Sequence, residues 1–119
     1  EQTPNWLKPL QQKVIDLAGC EFNSVLINKY RDGLDYVSYH QDNEHELGSQ
    51  PIIASLSFGA TRKFRLRNLA DNERKIQLSL EDGDLLIMGK DIQNEWQHEL
   101  PKSKTINNIR YNLTFRYIY

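Results

Sequence analysis

Ile109-Arg110-Tyr111-Asn112-Leu113-Thr114-Phe115-Arg116-Tyr117-Ile118-Tyr119 alternates over most of its length. In an extended chain, Arg110, Asn112, Thr114 and Arg116 fall on one face and Tyr111, Leu113, Phe115 and Tyr117 on the other. The first face is wholly polar and the second apolar. The same period of two recurs upstream at 22–30, 37–42, 51–58, 61–68, 75–80, 85–88 and 94–100. Turn signals separate these runs, among them Arg31-Asp32-Gly33, the polar stretch around Gly48, and Glu81-Asp82-Gly83-Asp84. Eight short strands so spaced predict a sandwich or barrel. Only the N-terminus departs from the pattern. Thr3 reads as a helix N-cap and Pro4 as its first residue. Trp6, Leu7, Leu10, Val14 and Leu17 then form an apolar stripe that ends at Gly19.

With 119 residues the chain suits one domain, and no repeat, linker or boundary divides it. Its 15 Lys and Arg against 16 Asp and Glu leave a formal charge of −1, so overall charge does not advertise a polyanionic partner. Cys20 is the single cysteine, which excludes an internal disulfide and fits a reducing, intracellular compartment. No apolar run is long enough to span a membrane, and no signal-peptide pattern opens the chain.

Within the second strand, His40 and Asp42 lie two residues apart and share a face. An imidazole and a carboxylate so placed can grip one metal ion, although an exposed strand end carries such residues too. A third ligand must come from another strand. His98, in Trp96-Gln97-His98-Glu99, is that candidate, whereas His45 lies in a polar loop and reads as solvated. Two histidines and a carboxylate form the facial triad of non-haem Fe(II) oxygenases, which leaves coordination positions open. Zinc uses the same ligands, so the triad alone does not name the metal. The polar face of the eighth strand could be a solvated outer face. A barrel that holds a dicarboxylate, however, needs an inward cation, and the planar fork of arginine binds carboxylates bidentately. Asn28 and Tyr30 share a face of the first strand and could add hydrogen bonds to such a ligand.

Taken together, Asn28-Lys29-Tyr30, His40-Gln41-Asp42, Pro51-Ile52-Ile53-Ala54-Ser55-Leu56-Ser57-Phe58-Gly59, His98 and Arg110-Tyr111-Asn112-Leu113-Thr114-Phe115-Arg116 resemble the AlkB-like Fe(II)- and 2-oxoglutarate-dependent dioxygenases. These enzymes reverse alkylation damage in nucleic acids. The motifs stand in family order, and the ensemble with Arg-x-Asn-x-Thr-x-Arg is highly specific. The stretch 52–64 looks most like the subgroup that repairs 1-methyladenine and 3-methylcytosine.

The resemblance implies a mainly β fold, a double-stranded β-helix (jelly-roll, cupin-like) with one N-terminal packing helix. It implies Fe(II) on His40, Asp42 and His98, with 2-oxoglutarate and dioxygen as co-substrates. Arg110, helped by Tyr30, would hold the distal carboxylate of 2-oxoglutarate, and Asn28, Asn112, Thr114 and Arg116 would complete that pocket. Oxidation to succinate and CO2 would be coupled to loss of an N-methyl group as formaldehyde. The base must leave its stack for this chemistry, and Asn43 and Glu44 would face it, with His40 packing against it. Asn43 stands where close relatives often carry Asp. Lys63, Arg65 and Arg67 form a basic stripe that either meets phosphates or is simply a solvated face.

Family members carry a nucleotide-recognition lid ahead of the helix that starts here. The expectation is therefore a single catalytic core over 1–119 without that lid. The expected partner is DNA or RNA containing alkylated bases, met by a monomer in the cytoplasm or, in a eukaryote, the nucleus. Two other readings use the same residues: a 2-oxoglutarate oxygenase acting on a protein or small molecule, and a non-catalytic β-helix binding domain.

Overall fold

A computed structural model describes residues 3–42 and 44–119. A 3-10 turn at Asn5–Leu7 leads into α1 (Lys8–Ala18). The strands follow as β1 (Ser24–Tyr30), β2 (Val37–His40), β3 (Ile53–Gly59), β4 (Arg62–Asn68), β5 (Lys75–Leu80) and β6 (Leu85–Met88). A short helix α2 (Lys90–Glu95) then precedes β7 (Trp96–Leu100) and β8 (Arg110–Arg116). The strands form two four-stranded sheets, ordered β1-β8-β3-β6 and β2-β7-β4-β5. All pairings are antiparallel, so this is the double-stranded β-helix expected from the resemblance. Among the described residues no helix is long and apolar enough to cross a membrane.

The alternation in β8 positions both hydrophobic layers. Leu113 and Phe115 point outward and pack with Val25, Ala54 and Leu56 against Leu7 and Val14 of the helical segment. The other face looks toward the second sheet, where Tyr30, Ile53 and Met88 meet Phe64, Leu66, Trp96 and Leu100. Fully burying one such Leu or Phe contributes roughly 1.5–3 kcal/mol. The two layers therefore fix the register of β8, because a one-residue slip would exchange its faces.

The helix differs from the sequence reading in two ways. Thr3 does not cap it: Pro4 precedes the 3-10 turn, and no side-chain cap is made. The buried seam runs through Leu7, Gln11 and Val14, while Trp6 and Leu17 are 74% and 72% exposed. The seam 7, 11, 14, 18 recurs at four, three and four, and Leu17 lies about 100° round the helix from Ala18, which joins it. Gln11 is tolerated there because its Nε2 donates to the Phe22 carbonyl at 2.7 Å. Gly19 ends the helix at φ 72, in the left-handed region that favours glycine.

Two further boundaries differ. β2 stops at His40, two residues short of the expected end, after a register irregularity between Val37 and His40. α2 occupies residues read as loop and strand start, being too short to show a helical period. At the opposite end of the barrel, Gly33 is packed so tightly that a Cβ would collide with the Ser103 carbonyl. Paired backbone bonds, Gly33 N to Ile106 O and Ser103 N to Gly33 O, both 2.8 Å, tie the β1–β2 turn to the β7–β8 connection.

Candidate active site

His40 and His98 are direct cross-strand partners in the β2–β7 ladder. Facing residues of an antiparallel pair bring their side chains together, and here the two imidazole centroids lie 4.2 Å apart. Asp42 comes in from beyond the end of β2. Its carboxylate stands 3.2 Å from His98 Nε2 and 3.8 Å from His40 Nε2. One donor atom from each residue lies within 4.8 Å of the others, and this is the only such group of three among the described residues. His45 does not join it; it is exposed in the 3-10 turn His45–Leu47.

The trio is oriented from behind. His40 Nδ1 lies 2.8 Å from the Ser38 carbonyl, which assigns a ring proton to Nδ1 and turns Nε2 toward Asp42. Asp42 is held by its backbone: its N–H donates to Oε1 of Gln93 at 3.1 Å. The Gln93 carbonyl accepts from Gln41 Nε2 at 2.9 Å, and the Gln93 side chain is wholly buried. His40 and Asp42 therefore converge through a loop pinned by α2, not through the strand pleat. Burial pushes the Asp42 carboxyl up. Its hydrogen bond to His98 and the charges of His98, His40 and Arg116 outweigh that, so the net shift is downward and the carboxylate form is favoured.

Opposite the trio, the inner face of β8 meets β1 and β3. Tyr30 pairs with Arg110, Asn28 with Asn112, Ser57 with Asn112 and Ser55 with Thr114. The polar side chains chain together: Ser55 Oγ donates to Asn112 Oδ1 at 2.6 Å, and Asn112 Nδ2 donates to Thr114 Oγ1 at 3.0 Å. Arg110 is 2% exposed and donates to Ser57 Oγ at 2.9 Å. Its guanidinium also sits 5.3 Å from the centre of the Tyr30 ring. No described carboxylate pairs with it, although burial lowers its pKa and an anion would offset that cost.

One cavity of about 150 Å3 joins both ends. His40, Asp42, His98, Asn28, Tyr30, Arg110, Asn112, Thr114 and Arg116 all line it, with Phe64, Met88 and Leu100 as apolar wall. Pockets for drug-sized ligands run to roughly 300–1,000 Å3, so this one suits a smaller ligand. A larger depression of about 410 Å3, walled by Leu47, Pro51, Tyr117 and Tyr119, shares Arg116 but gathers no comparable ligand set. Glu44 is exposed at the head of the 3-10 turn, outside the ring of lining residues. Asn43 lies outside the described residues.

The sequence reading missed Ser55 and Ser57, which bridge the polar network, and Gln93. The two serines were detectable as in-phase polar residues in an otherwise apolar strand. Nothing around Gln93 marked it.

The donor set fits Fe(II), since neutral imidazoles and a carboxylate leave positions open for other ligands. The unpaired Arg110 fits a carboxylate. Comparison with known proteins agrees. The model of the 2OG-Fe(II) oxygenase superfamily matches residues 1–116, and the chain belongs to that family. Its chemistry uses Fe(II), 2-oxoglutarate and dioxygen. The rat protein named alpha-ketoglutarate-dependent dioxygenase alkB homolog 3 is 42% identical over 130 residues, covering 100% of this chain and 44% of the relative. The mouse protein named DNA oxidative demethylase ALKBH2 is 38% identical over 119 residues, covering 94% of this chain and 50% of the relative. The chain is thus AlkB-like and spans about half the length of these curated relatives. The solved structure of OsALKBH1 shares the fold, with a TM-score of 0.71 at 22% identity over 96% of this chain and 65% of that one.

Proposed function

We propose that this chain is the catalytic core of an oxidative demethylase that removes N-methyl groups from alkylated bases in DNA or RNA, working as a monomer inside the cell. The observation that carries the reading is a single cavity with a His-Asp-His trio at one end and an arginine lacking a carboxylate partner at the other. The names of the relatives, a dioxygenase of the alkB type and a DNA oxidative demethylase, support the substrate class.

His40, Asp42 and His98 would hold Fe(II). Asp42 offsets part of the ion's charge, and Ser38 and Gln93 fix how the ligands point. Arg110 would receive the distal carboxylate of 2-oxoglutarate, with Tyr30, Asn28, Asn112, Thr114 and Arg116 lining the same pocket. Phe64, Met88 and Leu100 keep water from that space. When bound, iron would let dioxygen oxidise 2-oxoglutarate to succinate and CO2 with one oxygen atom and hydroxylate the methyl carbon with the other, and the hydroxymethyl base would then release formaldehyde. Asn43 and Glu44 would meet the base outside the cavity.

The test is formaldehyde release from oligonucleotides containing 1-methyladenine or 3-methylcytosine, with the full-length protein, Fe(II) and 2-oxoglutarate. Release should depend on both additions and vanish in Asp42→Ala. Turnover of 2-oxoglutarate without formaldehyde from any methylated oligonucleotide would overturn the substrate class and favour a protein or small-molecule oxygenase.

A further inference from the structure

The outer face of the second sheet is the reverse side of the strand that carries His98. In β7, Gln97 and Glu99 flank His98 and point away from the cavity. Beside them on β4 lie Lys63, Arg65 and Arg67, with Lys75 opposite Arg67 on β5. Two hollows adjoin this stripe. One of about 330 Å3 is lined by Lys63, Arg65 and Lys102 with the hydroxyls of Thr61, Ser79 and Ser103. The other, about 320 Å3, is lined by Arg65, Lys75 and Tyr39. Arg65 is common to both. Glu99 is the acid on this face, 3.6 Å from Arg65. On a chain of formal charge −1, this is a local concentration of cations.

These cations are held in place. Arg67 stacks 4.0 Å over the Tyr39 ring, and its Nε donates to Gln97 at 2.9 Å. Arg65 Nε donates to Gln77 at 2.9 Å. Lys102 lies 4.5 Å over Tyr36. Ring contacts and single glutamine bonds restrain Arg67 and Lys102 without neutralising them, while Glu99 offsets part of the Arg65 charge; this preordering lowers the cost of binding an anion. The ring faces are already covered by cations, so the surface suits phosphates better than stacked bases.

Resting on the demethylase reading, we infer that this face binds the phosphodiester backbone of the same nucleic-acid strand, several nucleotides from the reacting base. β2 is the edge of its sheet. A strand leaving the cavity mouth at His40 rounds that edge at Tyr39 and passes over Gln97 of β7 to reach Arg67 and Arg65 on β4. The cavity selects the methylated base, and this face holds the flank regardless of sequence.

The probe is an unmodified single-stranded 20-nucleotide DNA, titrated against the full-length iron-loaded protein by fluorescence anisotropy at several salt concentrations. On a single strand, every phosphate that a cation neutralises adds about 0.7 to the steepness of log K against log salt. Lys63→Ala/Lys75→Ala/Lys102→Ala should therefore flatten the slope by about 2. Lys8→Ala/Lys13→Ala/Lys29→Ala removes the same charge from exposed lysines on the helix and β1, and should leave the slope unchanged. Equal slopes in the two variants overturn the inference. Because the probe carries no methyl group, the outcome is independent of formaldehyde release. The demethylase reading can fail while this face still binds, and the reverse.

Discussion

Two arginines lie buried on either side of one tyrosine, and they are built for opposite ends. Arg62 in β4 and Arg110 in β8 are each 2% exposed, with guanidinium carbons 5.8 Å and 5.3 Å from the Tyr30 ring centre. Arg62 donates to the carbonyls of Asp35 and Pro101 at 2.9 Å and of Asp32 at 3.1 Å. It clamps the β1–β2 turn to the end of β7. Arg110 finds a serine hydroxyl and Tyr30 instead, and no described carboxylate. Burial lowers the pKa of both. A buried guanidinium whose terminal nitrogens bond backbone carbonyls is architecture, whereas one left with hydroxyls is a socket for an anion.

The contrast breaks most sharply at Arg62. Arg62→Met strands three part-buried carbonyls, each costing upward of about 1 kcal/mol, for a total of at least about 3 kcal/mol. Denaturant unfolding should show a lower midpoint at unchanged slope. A destabilisation below about 1 kcal/mol would mean that water replaces the guanidinium and that the clamp reading is wrong.

Arg110→Met should behave in the opposite way. The ligand-free protein should be as stable as before or more so, because a desolvated charge has been replaced by apolar volume. Binding of 2-oxoglutarate should weaken by the value of a charge-assisted bond, roughly 1.5–3 kcal/mol or about 10- to 150-fold. Titration calorimetry would read that weakening, and Mn(II) binding at the His-Asp-His trio should be unaffected. If both arginine variants are equally destabilised and 2-oxoglutarate binds equally to each, the distinction disappears.

Tyr30→Phe tests the residue between them and should have the smallest effect. It keeps the ring against both guanidiniums and removes one hydroxyl. The expected cost is about 1 kcal/mol, or roughly fivefold in the KM for 2-oxoglutarate, with little change in melting temperature. A large drop in stability would instead make the hydroxyl part of the clamp.

Much of this was readable along the chain because strands display chemistry with a period of two. The alternation of residues 110–116 marked the inward polar face of β8, and β5 and β6 begin and end at the residues the period of two predicted. Arg62 was readable in principle, since it is in phase with the buried Phe64 and Leu66. The exposed cations in phase with Lys63 drew attention away from it. The trio was reached partly for the wrong reason. Asp42 lies past the end of β2, so its approach to His40 depends on Gln93, fifty-one positions away in sequence and held by a helix too short to leave a pattern.

The sequence alone determined which residues alternate, hence which side chains share a face, and the motif order that identified the family. Those are local properties of covalent geometry and composition. Only the tertiary structure decided which polar faces meet, that His40 and His98 are cross-strand partners, and that Arg62 meets backbone carbonyls while Arg110 meets hydroxyls. Those depend on pairing between strands far apart in the chain. Whether a buried polar group has a partner is a fact about assembled surfaces, which residue spacing cannot express.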